Sequence, residues 1–330
     1  ADIINLSLGG PGDPDDPVSI AVDSAVRAGI VVVVAAGNNG PISSPATARK
    51  ALSVGAVTKR DQVAGFSSRG PVVWGKQTMV KPDLAGPGVA ICAAKWSRWG
   101  TSKRCFDDKH ITISGTSMAA PHLAGAAALV RQAHPDWSAD QVKAALKSTV
   151  KPIGGSVVDR GSGRVDVLRV VELQNPPPLA ELDPISIEKD ASWLIRGNIA
   201  SQNLKSWSLA YAPLVRSTPE SGWQELVQSS ALPRRGSVLH KLSLAPLLDG
   251  EYILRLLVED KDGQQAVDYG YVPVKKLVLL TPRSGDIYRL GEEVPIELDI
   301  SRGLKSRTLA YEYASIEHPS IESEEIDQWV

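Results

Sequence analysis

Segments with the patterns of strands and helices alternate over the first half of the chain. Residues 2–8 have the pattern of a strand, and residues 30–36 form a continuous apolar run rich in β-branched side chains. Such a run is typical of a strand buried on both faces of a parallel sheet. Between them, residues 17–29 are amphipathic, with proline at the start and glycine at the end, as in many helices. With further strand patterns at 51–58 and 89–93, this order predicts an α/β fold with a mainly parallel sheet.

We predict two more helices further along the chain. Residues 118–134 are apolar on nearly every side and rich in alanine, so this helix should be buried all round and closely packed. Residues 138–150 form the other helix, because Ser138 with Gln141 three positions later is the capping-box pattern of a helix start.

The pattern changes at residues 175–178, where the sequence Asn-Pro-Pro-Pro interrupts both helix and strand. Beyond this point, short alternating strands are separated by turns rich in Gly, Pro and Asp. The Asp-Gly pairs at 249–250 and 262–263 indicate hairpins. We therefore predict an all-β region with the character of a two-sheet sandwich.

An internal repeat divides this β region. Residues 204–211 are echoed by residues 304–311, one hundred positions later, and Trp223 is echoed by Trp329. The repeat predicts two sandwich-like modules, the second of them truncated. The predicted domains are the α/β region at 1–170, a Pro-rich linker at 171–180, a β-sandwich module at 181–283 and the start of a second module at 284–330.

Composition and charge narrow the classes of protein that fit. With 43% apolar and 22% charged residues, the chain is an ordinary globular protein rather than a disordered one. The chain has 36 basic and 37 acidic side chains, so it has no excess of basic residues that would indicate a nucleic-acid partner. The longest wholly apolar run, at 30–36, is far shorter than the roughly 18 residues that span a bilayer, so we expect no membrane span.

Two residue sets leave alternatives open. Cys92 and Cys105 flank a polar segment and are either a disulfide, worth about 3 kcal/mol, or two unrelated thiols. The second set is a group of tryptophans that form either a sugar-binding face or part of a core, and the match of Trp223 with Trp329 favours the core. This set contains Trp193, Trp207, Trp223 and Trp329.

The segment with the strongest chemical signal is Ile-Ser-Gly-Thr-Ser-Met-Ala-Ala-Pro-His at residues 113–122. It places Ser117 at the mouth of the predicted small-residue helix. A serine there is commonly only an N-cap. The helix dipole and the free N–H groups of the first turn also favour a negative charge at that point, as an oxyanion needs.

Several segments of the first 170 residues resemble the subtilisin-like serine proteases. Gly-Thr-Ser-Met-Ala-Ala-Pro-His at 115–122 is similar to the serine motif of that family. Ser-Leu-Gly-Gly at 7–10 resembles its substrate-binding strand, and Ala-Ala-Gly-Asn-Asn-Gly at 35–40 resembles the segment with its oxyanion asparagine. Three other stretches also match, at 66–71, 81–83 and 161–166. The resemblance implies the C-terminal part of a subtilisin-like catalytic domain, an incomplete parallel sheet flanked by helices.

The resemblance implies roles for individual residues. Ser117 would be the acylating nucleophile, and Asn38 would donate its side-chain amide to the oxyanion beside the Ser117 N–H. An extended substrate would add as a strand between two backbone segments. The substrate-binding residues implied are Ser7, Leu8, Gly9, Gly10, Ala35, Ala36 and Gly37. Ser43 and Ser44 are expected near the pocket for the primary side chain.

The family's catalytic Asp and His precede its Ser along the chain, and neither of their motifs occurs in this sequence. We expect both residues upstream of residue 1, so that the upstream part of the same protease is a partner of this chain. His122 resembles the structural histidine of the serine motif. None of the other histidines is expected to be the base: His110, His134, His240 and His318.

The sequence thus predicts a fragment of a secreted or cell-envelope serine endopeptidase that acts on polypeptides and is inactive alone. The alternative is an inactive pseudoprotease whose β-modules attach to a surface or ligand. The chemistry requires no cofactor. The family often binds calcium, and the loop with Asp13, Asp15 and Asp16 is the candidate for a structural calcium ion. Its spacing lacks the glycine and distal glutamate of an EF-hand, which favours a solvated loop.

Overall fold

The computed structural model describes residues 1–96, 105–188, 192–214, 221–243, 247–274, 277–281 and 297–300, the last two stretches as backbone only. Contacts between residues divide the chain into two compact units, Ala1–Val274 and Lys275–Val330. No helix within the described residues is long and apolar enough to cross a membrane.

The described residues up to 171 begin with a strand, a helix and a series of strands, and they end with a series of helices. The strands are β1 (Ile3–Leu6), β2 (Val31–Ala35), β3 (Leu52–Val57), β4 (Val72–Trp74), β5 (Gln77–Met79), β6 (Leu84–Pro87), β7 (Ile91–Ala94) and β8 (His110–Ile113). The helices are α1 (Pro17–Arg27), α2 (Thr116–Ala133), α3 (Ala139–Ser148), α4 (Val157–Arg160) and α5 (Val167–Val171).

Four of these strands form a parallel sheet in the order β1-β2-β3-β6. Every residue of β2 and β3 is buried, because both faces of the sheet are covered. Val33 of β2 packs in the core with Leu123 of α2, and Val34 packs on the opposite face with Val22 of α1. The predicted α/β region with a parallel sheet flanked by helices is confirmed.

Local signals place the helix starts well. In α3, the Ser138 Oγ accepts from the Gln141 N–H at 3.2 Å and the Gln141 side chain accepts from the Ser138 N–H at 2.8 Å, the predicted capping box. The prediction that α2 is buried all round is wrong for one face. Leu129 on that face is 50% exposed, because no described element packs there. Its neighbour Ala128 is exposed as well.

The β region follows in two antiparallel arrangements. Its strands are β9 (Leu179–Leu182), β10 (Ile185–Ile187), β11 (Ser192–Ala200), β12 (Leu204–Pro213), β13 (Gln224–Ser229), β14 (Val238–Ser243), β15 (Gly250–Asp260) and β16 (Gln265–Val274). One sheet has the order β13-β12-β15-β16, and β9, β10, β11 and β14 belong to the other. The predicted all-β region is confirmed, and its sheets are antiparallel. Asp262-Gly263 joins β15 to β16 in the predicted hairpin, whereas Asp249-Gly250 does not, because β14 pairs with β11 and β15 pairs with β12 and β16.

Two predictions for this region have different outcomes. Trp193 and Trp207 are 4% and 6% exposed within the core of the β region, so core packing is confirmed for them. Trp329 and the second copy of the repeat at 304–311 lie outside the described residues, and the repeat stays a prediction. The second unit contains one described antiparallel pair, β17 (Leu277–Thr281) with β18 (Glu297–Ile300).

One sheet joins the α/β region to the β region. Its order is β14-β11-β10-β5-β4, and β10 pairs with β5 through Ile185 opposite Thr78. The Thr78 hydroxyl also donates to the carbonyl of Tyr271 in β16. The two regions therefore belong to one compact unit. The domain limits at residues 170, 180 and 283 stay a prediction.

A cluster of buried charges lies at the same junction. The Lys81 Nζ is 2.7 Å from Oδ2 of Asp83, while the Nζ atoms of Lys143 and Lys147 are 3.5 and 3.9 Å from its Oδ1. Lys147 also pairs with Asp268 of β16 at 2.6 Å. Burial alone would raise the pKa of Asp83, but the three lysines outweigh it and hold that pKa well below its ordinary value of 3.8.

We predict that Asp83→Asn lowers the free energy of unfolding by about 3–5 kcal/mol, because Lys81 would stay buried without its counter-charge. The folded-state pKa of Asp83 lies below its unfolded value of 3.8. The contribution of Asp83 to the free energy of unfolding is therefore complete above about pH 4. It is lost as the pH falls through the folded-state pKa of Asp83. Urea unfolding between pH 7 and pH 2.5 should show this acid dependence in the wild type and a flatter one in the variant.

Asp136→Asn is the matched control, since Asp136 is exposed and no hydrogen bond or ion pair is seen for its side chain among the described residues. It should leave both the free energy of unfolding and its acid dependence within error of the wild type. Equal losses in the Asp83 and Asp136 variants would contradict the role given to the buried cluster.

Candidate active site

Ser117 is the second residue of α2 and is half-buried. The turn before it is fixed by a hydrogen bond from the Gly115 N–H to the Gly88 carbonyl at 2.8 Å. The Ser117 hydroxyl donates to the Ser7 carbonyl at 3.1 Å, and the Ser7 hydroxyl donates to the Ser117 carbonyl at 2.8 Å. The predicted nucleophile therefore faces the segment that follows β1.

Asn38 follows the buried strand β2 and is held against the same turn. Its Oδ1 accepts from the Thr116 backbone N–H at 3.1 Å and lies 3.3 Å from the Thr116 hydroxyl. A backbone N–H can only donate, so the amide oxygen is the atom that faces Thr116. Among the described residues, no acceptor is seen for the NH₂ of Asn38. The structure thus brings Asn38 and Ser117 together through Thr116, a contact between positions 78 residues apart.

Thr116 is the site residue that the sequence reasoning missed. Its side chain is fully buried, and its Oγ1 accepts from the Gly37 N–H and lies 3.1 Å from the Gly37 carbonyl as well. Gly37 has a φ of 111°, in the region that favours glycine, so the chain can turn here into Asn38. The sequence did offer a signal for Thr116, because this threonine belongs to the serine motif and directly precedes Ser117.

The predicted substrate-binding residues lie on two neighbouring backbone segments. The Gly10 N–H donates to the Ser44 carbonyl and the Ser44 N–H donates to the Gly10 carbonyl, both at 2.9 Å. A Cβ on Gly9 or on Gly37 would approach the Ser43 Oγ to 2.5 or 2.6 Å. The Ser43 hydroxyl therefore lies between the two segments. These segments contain the predicted substrate-binding residues Ser7, Leu8, Gly9, Gly10, Ala35, Ala36 and Gly37.

Three of the four described histidines, His110, His122 and His134, contact groups other than Ser117. The His122 Nδ1 lies 2.7 Å from the Met118 carbonyl, and His134 stacks on Trp137. Among the described residues, no histidine makes a hydrogen bond to the Ser117 hydroxyl. His240 lies in β14, and His318 lies outside the described residues.

His110 has an acidic partner that the sequence reasoning did not find. Its Nδ1 lies 2.7 Å from Oδ1 of Asp107, and its ring stacks on Phe106. Both partners belong to the hairpin of β7 and β8, and within the described part of the chain these two strands pair with no other strand. The disulfide left open by the sequence is present: Cys92 and Cys105 are bonded across this hairpin.

Each loop carboxylate has a partner within the chain, and the structural calcium ion that the family resemblance implies for this loop stays a prediction. Asp13 accepts from the Asp15 N–H, Asp15 pairs with Arg49, and Asp16 caps α1 by accepting from the Ser19 N–H. Their oxygens are thus directed at different partners. Across the described part of the chain, no three His, Cys, Asp or Glu side chains are grouped so that they could hold a metal ion.

Comparison with known proteins gives the family. The model of the Subtilase family, peptidase S8, matches residues 1–165, which is half of the chain. The chain belongs to the subtilase family. This subtilase is 42% identical over 173 residues to serine protease AprX of Bacillus subtilis strain 168, a match covering 44% of this chain and 37% of AprX. It is thus related to serine proteases, a class of hydrolases.

Other relatives match the same region. Subtilisin of Bacillus pumilus is 39% identical over 172 residues, covering 50% of this subtilase and 55% of that protein. A solved structure of proteases from Pseudoalteromonas arctica PAMC 21717 is 32% identical, with a TM-score of 0.43, and the match covers 52% of this chain and 50% of that one. The chain spans 37% to 55% of the length of these two curated relatives.

We predict that Thr116→Val lowers the free energy of unfolding by about 1–3 kcal/mol. Valine has nearly the same shape and keeps the backbone N–H that binds the Asn38 Oδ1, so the loss reports mainly the Gly37 N–H left without its acceptor. Thr116→Ser is the matched control, since it keeps the hydroxyl and loses only a methyl group, worth about 0.8 kcal/mol. Urea unfolding measures both, and equal losses would show that the hydroxyl is not what matters.

Proposed function

We propose that this subtilase is the nucleophile-bearing part of a serine endopeptidase, with Ser117 as the residue that is acylated. The observation that carries the proposal is the connection of Ser117 and Asn38 through Thr116, which holds a hydroxyl and a side-chain amide at the start of α2. A nucleophile beside a preorganised hydrogen-bond donor is the arrangement that acyl transfer needs.

In this mechanism the Ser117 Oγ attacks the carbonyl carbon of a peptide bond. Negative charge develops on the carbonyl oxygen, and the Asn38 NH₂ with the Ser117 backbone N–H stabilises it. The Ser117 N–H is available because the first N–H groups of a helix have no partner within the helix. The amine leaves, and water then hydrolyses the ester formed on Ser117.

The proton of the Ser117 hydroxyl needs a base. A histidine oriented by a carboxylate takes it in serine proteases of this type, and later gives it to the leaving amine. We assign both groups to polypeptide outside these 330 residues, as the family order of Asp, His and Ser implies. Residues 1–330 then supply the nucleophile, the oxyanion donor and part of the cleft.

The substrate would be an extended polypeptide that pairs with the segments at 7–10 and 35–37 as an added strand. The Ser43 hydroxyl, which lies against both Gly9 and Gly37, would be close to a side chain of that substrate. The disulfide between Cys92 and Cys105 supports an oxidising compartment, hence a secreted or cell-envelope protein. The alternative is a binding protein that keeps this fold without catalysis.

Labelling of the natural protein that contains these 330 residues separates the two functions. We expect a fluorophosphonate probe to modify Ser117, as shown by peptide mapping, because only an activated serine reacts. Ser117→Ala should abolish the labelling. Asn38→Ala should lower kcat by about 10²–10³, the cost known for such a donor in a subtilisin. A folded protein that takes up no probe would support the binding protein.

The 330-residue chain by itself should hydrolyse no peptide above background, because we place the base outside it. A purified sample assayed with an unstructured protein substrate such as casein tests this. The control is the same preparation of the Ser117→Ala variant, which fixes the background from contaminating proteases. Turnover by the wild-type chain that the variant lacks would show that the base lies within these residues.

A further inference from the structure

The nucleophile helix carries an unusual residue close to its start. In an α-helix, the carbonyl of each residue accepts from the N–H four positions later. The residue four positions after Ser117 is Pro121, which lies inside α2 and has no N–H. The carbonyl of Ser117 therefore has no helical partner, although a half-buried carbonyl without a hydrogen bond is destabilising.

The missing donor comes from a distant part of the chain. The Ser7 hydroxyl donates to the Ser117 carbonyl at 2.8 Å, although the two residues are 110 positions apart. A carbonyl oxygen can only accept, so the Ser7 hydroxyl is the donor in this bond, and the Asn5 Nδ2 in turn donates to the Ser7 hydroxyl oxygen at 3.1 Å. With its oxygen accepting from Asn5, the single proton of the Ser7 hydroxyl is directed at Ser117.

A second bond runs the other way between the same residues. The Ser117 hydroxyl donates to the Ser7 carbonyl at 3.1 Å. When the Ser117 proton passes to a base, this second bond is lost, whereas the bond from the Ser7 hydroxyl to the Ser117 carbonyl involves neither atom that reacts. It can therefore hold the backbone of the nucleophile in place through the reaction.

We propose that Ser7 is a positioning residue, whose hydroxyl replaces the hydrogen bond that Pro121 removes from α2 and thereby fixes Ser117 against the substrate-binding segment. The structural part of this inference stands on the hydrogen bonds alone. Its catalytic consequence rests on the proposed function. It means that the segment receiving the substrate and the residue attacking it are held together at the backbone.

A double-mutant cycle on the 330-residue chain tests the structural part. Ser7→Ala should lower the melting temperature by about 2–6 °C, because the Ser117 carbonyl loses its donor. Pro121→Ala restores an N–H at the position that this carbonyl needs. In the Pro121→Ala background, Ser7→Ala should therefore lower the melting temperature by less than half as much. Equal losses in the two backgrounds, or no loss in either, would overturn the proposal.

Ser24→Ala is the matched control for this cycle. The Ser24 hydroxyl also donates to a helical carbonyl, that of Ile20 at 2.8 Å, but no proline removes the helical partner of that carbonyl. We expect this variant to melt within about 1 °C of the wild type. If Ser7→Ala does not fold, Ser7→Thr carries the test, since it keeps the donor and should melt close to the wild type. Strong destabilisation by threonine would contradict a role for the hydroxyl.

The catalytic part is tested in the natural protein that contains these residues. There Ser7→Ala should lower kcat roughly ten-fold by misplacing the nucleophile, with KM changed less than two-fold, because the backbone of the segment still pairs with substrate. Ser7→Thr should restore kcat. A change in KM alone would assign Ser7 to substrate binding instead. If the wild type proves inactive, the proposed function fails, and the melting cycle still decides the role of the hydrogen bond.

Discussion

The structure depends on the burial of β2 and its neighbour β3 on both faces. A strand made only of valine and alanine cannot face water on either side, so helices must cover the sheet from above and below. Here the covered strands are parallel, and the carboxyl ends of parallel strands lie at one common edge of the sheet. The segments after β1 and β2 therefore meet, and they carry Ser7 and Asn38. The site follows from the requirement to bury a valine strand.

Much of this was readable from the sequence because its determinants are local. The capping box at Ser138 and the apolar run of β2 each need only a few neighbouring residues. Asn38 and Ser117 were found because their surroundings resemble family motifs, not because their proximity could be derived. The hydrogen bonds that join them pass through Thr116 across 78 positions, and no pattern within a short window contains such a contact.

Other features could not be predicted because they depend on tertiary packing. The exposed face of α2 includes Ala128 and Leu129, and the buried face also contains alanine and leucine, so these residue types do not distinguish the two faces. The acidic partner of His110 lies three positions away, but only the turn of the hairpin brings Asp107 to its ring. The ion pairs around Asp83 join a loop, a helix and a distant strand, and each member alone resembles an ordinary surface charge.

The pairing of β5 with β10 affects how the chain is made. In the α/β region, β5 has β4 on one side, and its other edge stays open until residues 185–187 emerge from the ribosome, about one hundred residues later. An open strand edge is a site where chains associate wrongly. Once the β region is synthesised, β10 covers the open edge of β5 and prevents wrong association there. The later part of the chain thus acts as a folding partner of the earlier part.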